Sequence, residues 1–441
     1  MNVTPERMLS VYVVLTLLST SASSFIWGIN TLFLLDAGLS VAQAFGANAF
    51  FTLGQVIFEV PTGVVADTLG RRTSYLLGAA TLLVSTLLYL MMWRLHGPFW
   101  GWALSSILLG LGFTFFSGAT EAWLVDGLNA TGYRGTLESA FAKGQIATGA
   151  GMLTGTIAGG VIAQATNLGV PYVLRAVTLG LTFLVAFVWM QDIGFTPRRS
   201  ASVVGEMGSV LRASLDHGFR NPPVRWVMLA GVASSGVPIY AFYAMQPYLL
   251  ELYGRRDYTI AGLAAALFAA TQIAGAFLVP WARKAFRRRT SALLVGSIAS
   301  ASALLSMGLV ARFWVVLPVL AGWGLVFAAA QPIRQAFLNG LIPSEQRATV
   351  LSFDNLMGSA GGVVAQPALG RTADLFGYPA SYVVGAGVQA LAVPFVMLAR
   401  RENASSDPIS REAGQEPHVH EPEVPGTSVR DAVEDVGRPV E

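Results

Sequence analysis

Apolar residues run along most of this chain in blocks long enough to cross a bilayer, and polar residues cluster in the short segments between them. A helix that spans a membrane needs about 20 predominantly apolar residues. The pattern predicts spans 1 to 6 in the first half of the chain, over roughly 9–35, 41–65, 73–93, 99–125, 138–165 and 171–190. It predicts spans 7 to 12 in the second half, over roughly 224–250, 258–281, 290–310, 313–339, 349–369 and 379–399.

The polar segments divide the chain into four parts. We predict an N-terminal six-helix bundle over 1–190, a cytoplasmic linker over 191–223, a C-terminal six-helix bundle over 224–400 and a disordered cytoplasmic tail over 401–441. Apolar residues recur near helical spacing from Val203 to Phe219, which is typical of an amphipathic helix on a membrane surface. The tail is rich in Glu, Pro, Ser and Asp, and such segments bury too little apolar area to fold.

The composition favours a membrane protein and excludes several kinds of chemistry. Hydrophobic residues make up 54% of the chain and charged residues 12%, whereas soluble domains carry about 25% charged residues. A surface that faces lipid explains this deficit. The chain has no cysteine, its four histidines form no cluster in the apolar region, and it has no phosphate-binding G-x-x-x-x-G-K loop. We therefore expect no enzyme activity, no metal, no cofactor and no nucleic-acid partner.

The placement of the basic residues predicts the orientation. If both termini and the even-to-odd loops lie on one side, that side holds 18 lysines and arginines outside the distal tail. The other side holds five, namely Arg94, Arg255, Arg256, Arg312 and Arg371. Since cytoplasmic loops carry the excess of positive charge, this count favours twelve spans with both termini in the cytoplasm. A composition rich in Arg, Ala, Gly and Val favours a bacterial source, and therefore the bacterial cytoplasmic membrane.

Short sequence motifs of the first half recur in the second half in the same order. RRTSYLLG from Arg71 returns as RRTSALLVG from Arg288, and EAWLVDGL from Glu121 aligns with RQAFLNGL from Arg334. Further weak matches keep nearly the same offset through the later spans. Duplication of a six-span unit explains this order, and it predicts two similar bundles with a binding cavity between them near the membrane midplane.

The segment GVVADTLGRR, from Gly63 to Arg72, resembles the signature loop between spans 2 and 3 of the major facilitator superfamily. The twelve spans, the two similar halves and the long central loop resemble that family as well, over residues 9–400. The resemblance implies an all-α membrane protein with twelve transmembrane helices in two pseudo-symmetric six-helix bundles. We expect a small-molecule substrate, protons as the coupling ion, and a monomer in the lipid bilayer.

The signature loop predicts a gate at the cytoplasmic mouth. Glycine permits a tight turn and close helix approach, and Asp67 and Arg72 carry charges that can pair. By the resemblance, Asp67 also faces the N-terminal end of span 11, where the helix dipole is positive, and latches an outward-open state. Arg71 either joins this gate or only keeps the loop in the cytoplasm, and Asp126 is expected to pair with one of the two arginines. The predicted gate residues are Gly63, Asp67, Gly70, Arg71, Arg72 and Asp126.

Span 5 contains a glycine-rich element, GMLTGTIAGG, that resembles an element of the drug/proton antiporters in the superfamily. Thr156 stands where those antiporters have proline, and Ser106 stands where they usually have an arginine in span 4. Glycines four residues apart form a groove for a neighbouring helix, which in the family is span 8. The element favours export, and plain close packing is the alternative interpretation. Its residues are Gly151, Gly155, Gly159 and Gly160.

Ionisable residues inside spans are costly in a membrane and are therefore candidates for function. We predict proton or substrate sites among Glu59, Glu121, Arg334 and Asp354. The repeat makes Glu121 and Arg334 equivalent, so Glu121 either carries a proton or cation, or pairs with Arg334 between the halves. The third interpretation is an ion pair within one bundle, such as Arg334 with Asp354. Arg175 is interpreted as snorkelling toward the membrane surface.

Helical spacing places further polar and aromatic residues on single faces of spans 1, 7 and 10, which line the cavity in the family. The predicted cavity residues are Trp27, Asn30, Phe33, Leu34, Tyr240, Tyr243, Gln246, Phe327 and Gln331. An aromatic cavity with few charges suits an amphipathic or aromatic solute better than a sugar, which needs many hydrogen-bonding side chains.

The leading hypothesis is a secondary transporter that exports an organic, drug-like or metabolite solute by proton-driven alternating access. Uptake of a nutrient or metabolite by proton symport is the first alternative. A membrane sensor that does not transport, or a lipid flippase, is the alternative from another class.

Overall fold

The computed structural model describes residues 4–116, 119–197, 218–310, 312–342 and 347–409. Within these ranges the backbone is helical apart from turns, loops and an isolated antiparallel bridge between Arg288 and Pro408. The all-α prediction is therefore confirmed. Most of the predicted amphipathic helix, residues 203–217, and the tail from residue 410 lie outside the described residues.

Six spans form the first half of the molecule. Span 1 breaks at Gly28, and span 4 is described on both sides of residues 117–118. The helices are Pro5–Trp27 with Asn30–Asp36 (span 1), Val41–Leu69 (span 2), Arg71–Leu95 (span 3), Phe99–Phe116 with Ala119–Ala130 (span 4), Leu137–Ala165 (span 5) and Gly169–Trp189 (span 6). Local capping fixes some of these ends; at the start of span 2, for example, Ser40 and Gln43 form a capping box.

The second half has the same order of elements. Its helices are Pro222–Tyr253 (span 7), Tyr258–Ala285 (span 8), Arg289–Leu309 (span 9), Phe313–Asn339 (span 10), and Arg347–Ala390 followed by Ala392–Arg401. The helix Arg347–Ala390 is kinked at Gly377, where φ is 82° and ψ is 166°. Eleven described segments are long and apolar enough to cross a membrane, and Phe353–Arg401 counts as one of them. Because the kink divides that segment into spans 11 and 12, the twelve predicted spans are confirmed.

The spans alternate in direction, so the two ends of the molecule carry different loops. We call the end with the turn at Gly70 the loop end, and the end with the turn at Ser40 the opposite end. Gly70 has a φ of 105°, which only glycine adopts readily. An added Cβ at Gly70 would also collide with the Asp192 carboxylate, so the tight turn between spans 2 and 3 requires glycine.

The repeated phrase RRTS marks the same contact in each half, at the start of span 3 and of span 9. In the first half Asp192, just after span 6, accepts a hydrogen bond from the Arg72 amide at 2.9 Å. In the second half Asp407, just after span 12, accepts from the amide and the hydroxyl of Thr290 at 2.8 and 3.0 Å. A carboxylate at a helix N-terminus satisfies amide groups that have no partner within the helix. The repeated sequence thus marks a helix-capping contact that is present in both halves.

Residues 402–409, which follow the predicted boundary at 400, pack against the second half. Residues 402–409 pack at the start of span 9, and Asp407 is 2% exposed. Ser406 donates to the Phe337 carbonyl oxygen at 2.8 Å, and the Ile409 amide donates to that of Arg287 at 3.0 Å. Residues 402–409 therefore belong to the same compact unit as the second half, since they carry the cap of span 9.

Two pairs of spans make the most extensive contacts between the halves. Span 2 packs against span 11, and span 5 packs against span 8. The largest buried cluster lies in the second half, around Tyr240, Tyr248, Trp323 and Tyr382, and it includes Phe45 from span 2. Apolar side chains of the first half therefore complete the core of the second half at the opposite end.

Replacement of Asp407 by alanine tests the capping contact. Asp407→Ala leaves the buried amide and hydroxyl of Thr290 without their acceptor, so we expect a loss of about 1–2 kcal/mol in the free energy of unfolding. The measurement is the Tm of the purified protein in detergent. The exposed neighbour Ser405 provides the control Ser405→Ala, which should leave Tm unchanged. Equal Tm values for the two variants would contradict a stabilising role of this segment.

Candidate functional site

A cavity of about 420 Å³ lies between the two halves, within the size range of ligand pockets in proteins. All six spans of the first half contribute to its lining, together with spans 7 and 8. The described residues that line it are Ile26, Trp27, Asn30, Asn48, Phe51, Gln55, Tyr89, Leu109, Phe113, Met152, Arg175, Phe242, Tyr243, Phe268 and Gln272.

Aromatic side chains form much of the cavity wall. Phe51 and Phe113 pack edge to face with ring centroids 5.6 Å apart. On the other half, Phe242 lies against Tyr243 and Phe268 with centroids 5.1 and 5.2 Å apart. Both halves thus present aromatic surface to the same space, which favours a ligand with an aromatic or apolar body.

A chain of hydrogen bonds orders the amide groups of the cavity. The Tyr172 hydroxyl donates to Oδ1 of Asn30 at 2.8 Å, and Nδ2 of Asn30 donates to Oδ1 of Asn48 at 3.1 Å. The chain ends at Nδ2 of Asn48, which is buried and has no hydrogen-bond partner among the described residues. A residue that lines the cavity therefore carries a buried donor with no partner among the described residues.

Arg175 contributes a guanidinium to the cavity from span 6. It is 2% exposed, and its Nε donates to the Thr86 hydroxyl at 3.0 Å. The interpretation that Arg175 snorkels to the membrane surface is wrong, because its side chain lies inside the first half. Sequence reasoning did not count Arg175 among the cavity residues, although an arginine at the seventh position of an apolar helix was a usable signal. Tyr89, next to it in the cavity lining, hydrogen bonds to the hydroxyl of Ser106 at 2.6 Å.

The two halves meet through hydrogen bonds at the opposite end. Asp374, near the end of span 11, accepts from the Val41 and Ala42 amides at the start of span 2, at 2.8 and 2.9 Å. Gln246 of span 7 is fully buried, accepts from the Thr31 amide at 3.0 Å and donates to the Trp27 carbonyl oxygen at 2.6 Å.

Two further hydrogen bonds join the halves. The Tyr258 amide donates to Gln164 at 2.8 Å, and Gln366 donates to the Thr52 hydroxyl at 3.4 Å. Together with the bonds of Asp374 and Gln246, these contacts close the cavity toward the opposite end.

At the loop end, the predicted gate residues contact only their own half within the described part of the chain. Asp67 pairs with Arg71 at 2.7 Å and not with Arg72 as predicted, and Nε of Arg71 lies 3.9 Å from the Asp126 carboxylate. Arg72 donates from Nη2 to the Phe187 carbonyl oxygen at 2.7 Å.

Gly63, the remaining predicted gate residue, has open space beside its Cα. An added Cβ at Gly63 would meet no described atom within 4 Å. Among the described residues, Asp67 pairs with Arg71, and no contact of Asp67 with span 11 is found there.

The ionisable candidates separate into one buried pair and two exposed carboxylates. Arg334 forms two hydrogen bonds with Asp354, at 2.6 and 2.7 Å, and Asp354 is 5% exposed. An ion pair within one bundle was the third of the interpretations drawn from the sequence. In this structure Arg334 therefore pairs with Asp354 and not with Glu121. Glu121 and Glu59 are exposed on the first half, in the parts of spans 4 and 2 toward the loop end.

The predicted cavity residues do not form one group. Trp27, Asn30 and Tyr243 line the central cavity. Phe33 and Leu34 are fully buried in the first half, where Phe33 stacks on Tyr172, and Tyr240 is buried against Ser381.

The other three predicted cavity residues also lie outside the central cavity. Gln246 belongs to the contacts of the opposite end. Phe327 and Gln331 line, with Arg334, a separate cavity of about 90 Å³ inside the second half.

The glycine-rich element of span 5 faces two different neighbours. Gly151, Gly155 and Gly159 face span 1 of the same half, and an added Cβ at Gly159 would collide with the Phe25 carbonyl oxygen. Gly160 faces span 8, where an added Cβ would lie 2.9 Å from Cα of Gly262. The expectation that the element packs on span 8 thus fits Gly160, whereas its three companions pack within their own bundle.

Twelve apolar helices in two similar bundles, with a cavity between them that is closed at one end, define a multi-pass membrane transporter. The family model of the Major Facilitator Superfamily matches residues 12–262 and 255–433, so the chain belongs to this family. The predicted family and fold are confirmed, and so is the prediction that the protein is not an enzyme.

Two relatives are tetracycline resistance proteins. The class B protein of Escherichia coli is 26% identical over 337 residues, which cover 71% of this chain and 78% of that protein. The class D protein of Salmonella ordonez is 28% identical over 327 residues, which cover 71% and 76%. The crystal structure of the nucleoside transporter NupG matches with a TM-score of 0.75 at 10% identity, over 91% of this chain and 100% of that one, which shows a shared fold.

The Asp374 contact predicts how the opposite end opens. Asp374→Asn removes the charge that faces the start of span 2, so the closed state should lose about 1 kcal/mol relative to the open state, about a fivefold shift in their ratio. Since the chain has no cysteine, the reporter Gln55→Cys in the cavity can be labelled with a membrane-impermeant maleimide. We expect labelling from the opposite end to become about fivefold faster.

Asp36→Asn is the matched control for this prediction. Asp36 also lies at the opposite end, but it accepts from Nε1 of Trp93 within its own half, at 2.9 Å. This variant should leave the labelling rate unchanged. A rate that does not respond to Asp374→Asn, or that responds equally to both variants, would contradict a closing role of Asp374.

Proposed function

We propose that this protein exports an organic, amphipathic solute across the bacterial cytoplasmic membrane in exchange for protons. The observation that carries the proposal is the aromatic cavity of about 420 Å³ between the halves, closed at the opposite end. A sugar would need more hydrogen-bonding side chains than this wall supplies. The tetracycline resistance relatives support the export of such a solute.

The distribution of basic residues supports an orientation with the loop end in the cytoplasm. Arg71, Arg72, Arg288 and Arg289 all lie at this end, and positive charge is enriched in cytoplasmic loops. In this orientation the described state is closed to the outside, and a solute enters the cavity from the cytoplasm. This is the state that an exporter needs for loading.

Export then requires the opposite end to open and the loop end to close. Asp67 lies at the end of span 2, as Asp374 lies near the end of span 11. Asp374 caps span 2 in the described state, and in our proposal Asp67 leaves Arg71 and faces the start of span 11 in the other state. Two carboxylates on the same pair of spans would thus close the two ends in turn.

In our proposal, proton coupling belongs to an exposed carboxylate of the first half. Glu121 is the first candidate and Glu59 the second, because both are exposed and lie in the spans toward the loop end. Asp354 is less suited to this role, since both of its oxygens are bonded to Arg334.

A flux experiment tests the function as a whole. The purified protein is reconstituted in liposomes with an imposed pH gradient, and the movement of tetracycline and of a panel of fluorescent amphipathic compounds is measured. Export predicts that compounds move against the proton flow, and that an uncoupler abolishes the movement. Movement of the solute in the same direction as protons would replace export by symport, and no movement of any compound would contradict the proposal.

The gate role of Asp67 predicts a loss of transport without a loss of protein. Asp67→Asn removes the charge that faces span 11 when the loop end closes, so we expect flux to fall at least tenfold with unchanged amounts of protein in the membrane. Glu251→Gln, at the opposite end, is the control and should transport normally. Normal flux through Asp67→Asn would refute the gate role.

The coupling role of Glu121 predicts a more selective defect. Glu121→Gln should abolish flux driven by a pH gradient, because the amide cannot carry a proton, while exchange of labelled for unlabelled solute continues. Both rates are measured in the same liposomes, with Glu59→Gln for comparison. If Glu121→Gln leaves pH-driven flux intact and Glu59→Gln abolishes it, Glu59 is the proton carrier.

A further inference from the structure

We propose that Arg175 binds an anionic group of the transported solute, so that the central cavity takes organic anions with an aromatic body. The inference rests on the proposed transport function and adds the class of solute to it. Its basis is the burial and hydrogen bonding of Arg175, the lack of carboxylates among the described lining residues, and the aromatic wall of the cavity.

Arg175 is a buried cation with unused hydrogen-bonding capacity. Its side chain is 2% exposed, and Nε is held by Thr86 at 3.0 Å. Nη2 is buried and has no hydrogen-bond partner among the described residues. Burying a charge is costly unless a partner compensates it. One donor of the guanidinium therefore has no acceptor among the described residues.

The described lining also supplies no counter-charge for Arg175. The described residues that line the cavity include no aspartate and no glutamate. Ion pairs in the described part of the chain include those of Arg71, Arg288 and Arg334. Arg334 shows the usual solution inside a bundle, because a carboxylate neutralises it, whereas Arg175 faces a cavity large enough for a solute.

A second donor points to the same kind of ligand. Asn48 is 6% exposed and lines the cavity, and its Oδ1 is occupied by Asn30. Its Nδ2 is buried without a partner. A carboxylate has only acceptor oxygens and can take several hydrogen bonds, so it satisfies donors of this type. An ammonium group would find no carboxylate among the described lining residues, and Arg175 would repel it.

The remaining lining defines the rest of the solute. Phe51 and Phe113 on the first half and Phe242 and Phe268 on the second half face the cavity. Such a wall binds an aromatic or hydrophobic body and gives little to a sugar or to an inorganic anion. The solute is therefore an amphipathic organic acid, with its oxyanion on Arg175 and its body between the halves.

Binding to the purified full-length protein in detergent tests this inference. The probes are 2-naphthoate, indole-3-acetate and biphenyl-4-carboxylate, each compared with its primary amide and with the amine of the same skeleton. Affinities are taken from titration of intrinsic fluorescence and from the shift in Tm. We expect at least one carboxylate to bind at least tenfold more tightly than its amide and its amine, as for a charged hydrogen bond.

Substitution identifies the residue responsible. Arg175→Gln should weaken carboxylate binding at least tenfold and change amide binding less than twofold. Arg94→Gln, an exposed arginine at the end of span 3, is the control and should change neither. If Arg175→Gln does not fold, Asn48→Ala provides the second variant: it should weaken carboxylate binding while Arg175 keeps the preference for acid over amide.

Several results would overturn the inference. These are the absence of carboxylate binding, equal binding of acid and amide, tighter binding of the amine, and a full preference for the acid in Arg175→Gln. Such results leave the proposed export function standing if uncoupler-sensitive efflux of a neutral or cationic compound is measured in the same membranes. Absence of all efflux, in contrast, contradicts the function itself.

Discussion

Carboxylates at helix N-termini hold this protein together at both of its ends. The first turn of a helix has amide groups without partners in the helix, and lipid offers none. Asp192 and Asp407 satisfy spans 3 and 9 within their own halves. Asp374 does the same for span 2, but from the other half. One type of contact therefore both stabilises each bundle and closes the cavity between the bundles.

Asp407 and Asp374 make the same kind of contact, but they differ in burial and in whether the contact joins the two halves. Asp407 is buried within its own half, next to the helix that it caps, so opening and closing of the cavity need not disturb it. Asp374 is only partly buried and joins two bodies, so water and a competing contact elsewhere can replace it. The proposed exchange between Asp374 at one end and Asp67 at the other uses this difference. A transporter needs such bonds to be strong enough to close one end and weak enough to break.

The two halves contribute different kinds of side chain to the central cavity. The first half contributes Arg175, held by Thr86, and Asn48, held by Asn30, whereas spans 7 and 8 contribute Phe242, Phe268 and other neutral groups. In the proposed arrangement the charged group of the solute stays with one bundle, and its apolar body contacts both. Rocking of the bundles then changes the packing around the body without breaking the charged contact, so movement and recognition are separated.

The sequence by itself determined the spans, the repeat, the family and the turn at Gly70, because a helix in lipid satisfies its own backbone and its length and apolarity are local properties. It could not determine which side of each span meets the cavity. Helical spacing grouped Phe33 and Tyr240 with Asn30, yet the structure buries both in bundle cores. The structure also places Arg175 in the cavity and not at the membrane surface, and it pairs Asp67 with Arg71. Only the tertiary structure decided these partners, since they depend on the rotation of each helix about its axis and on which end of the cavity is closed.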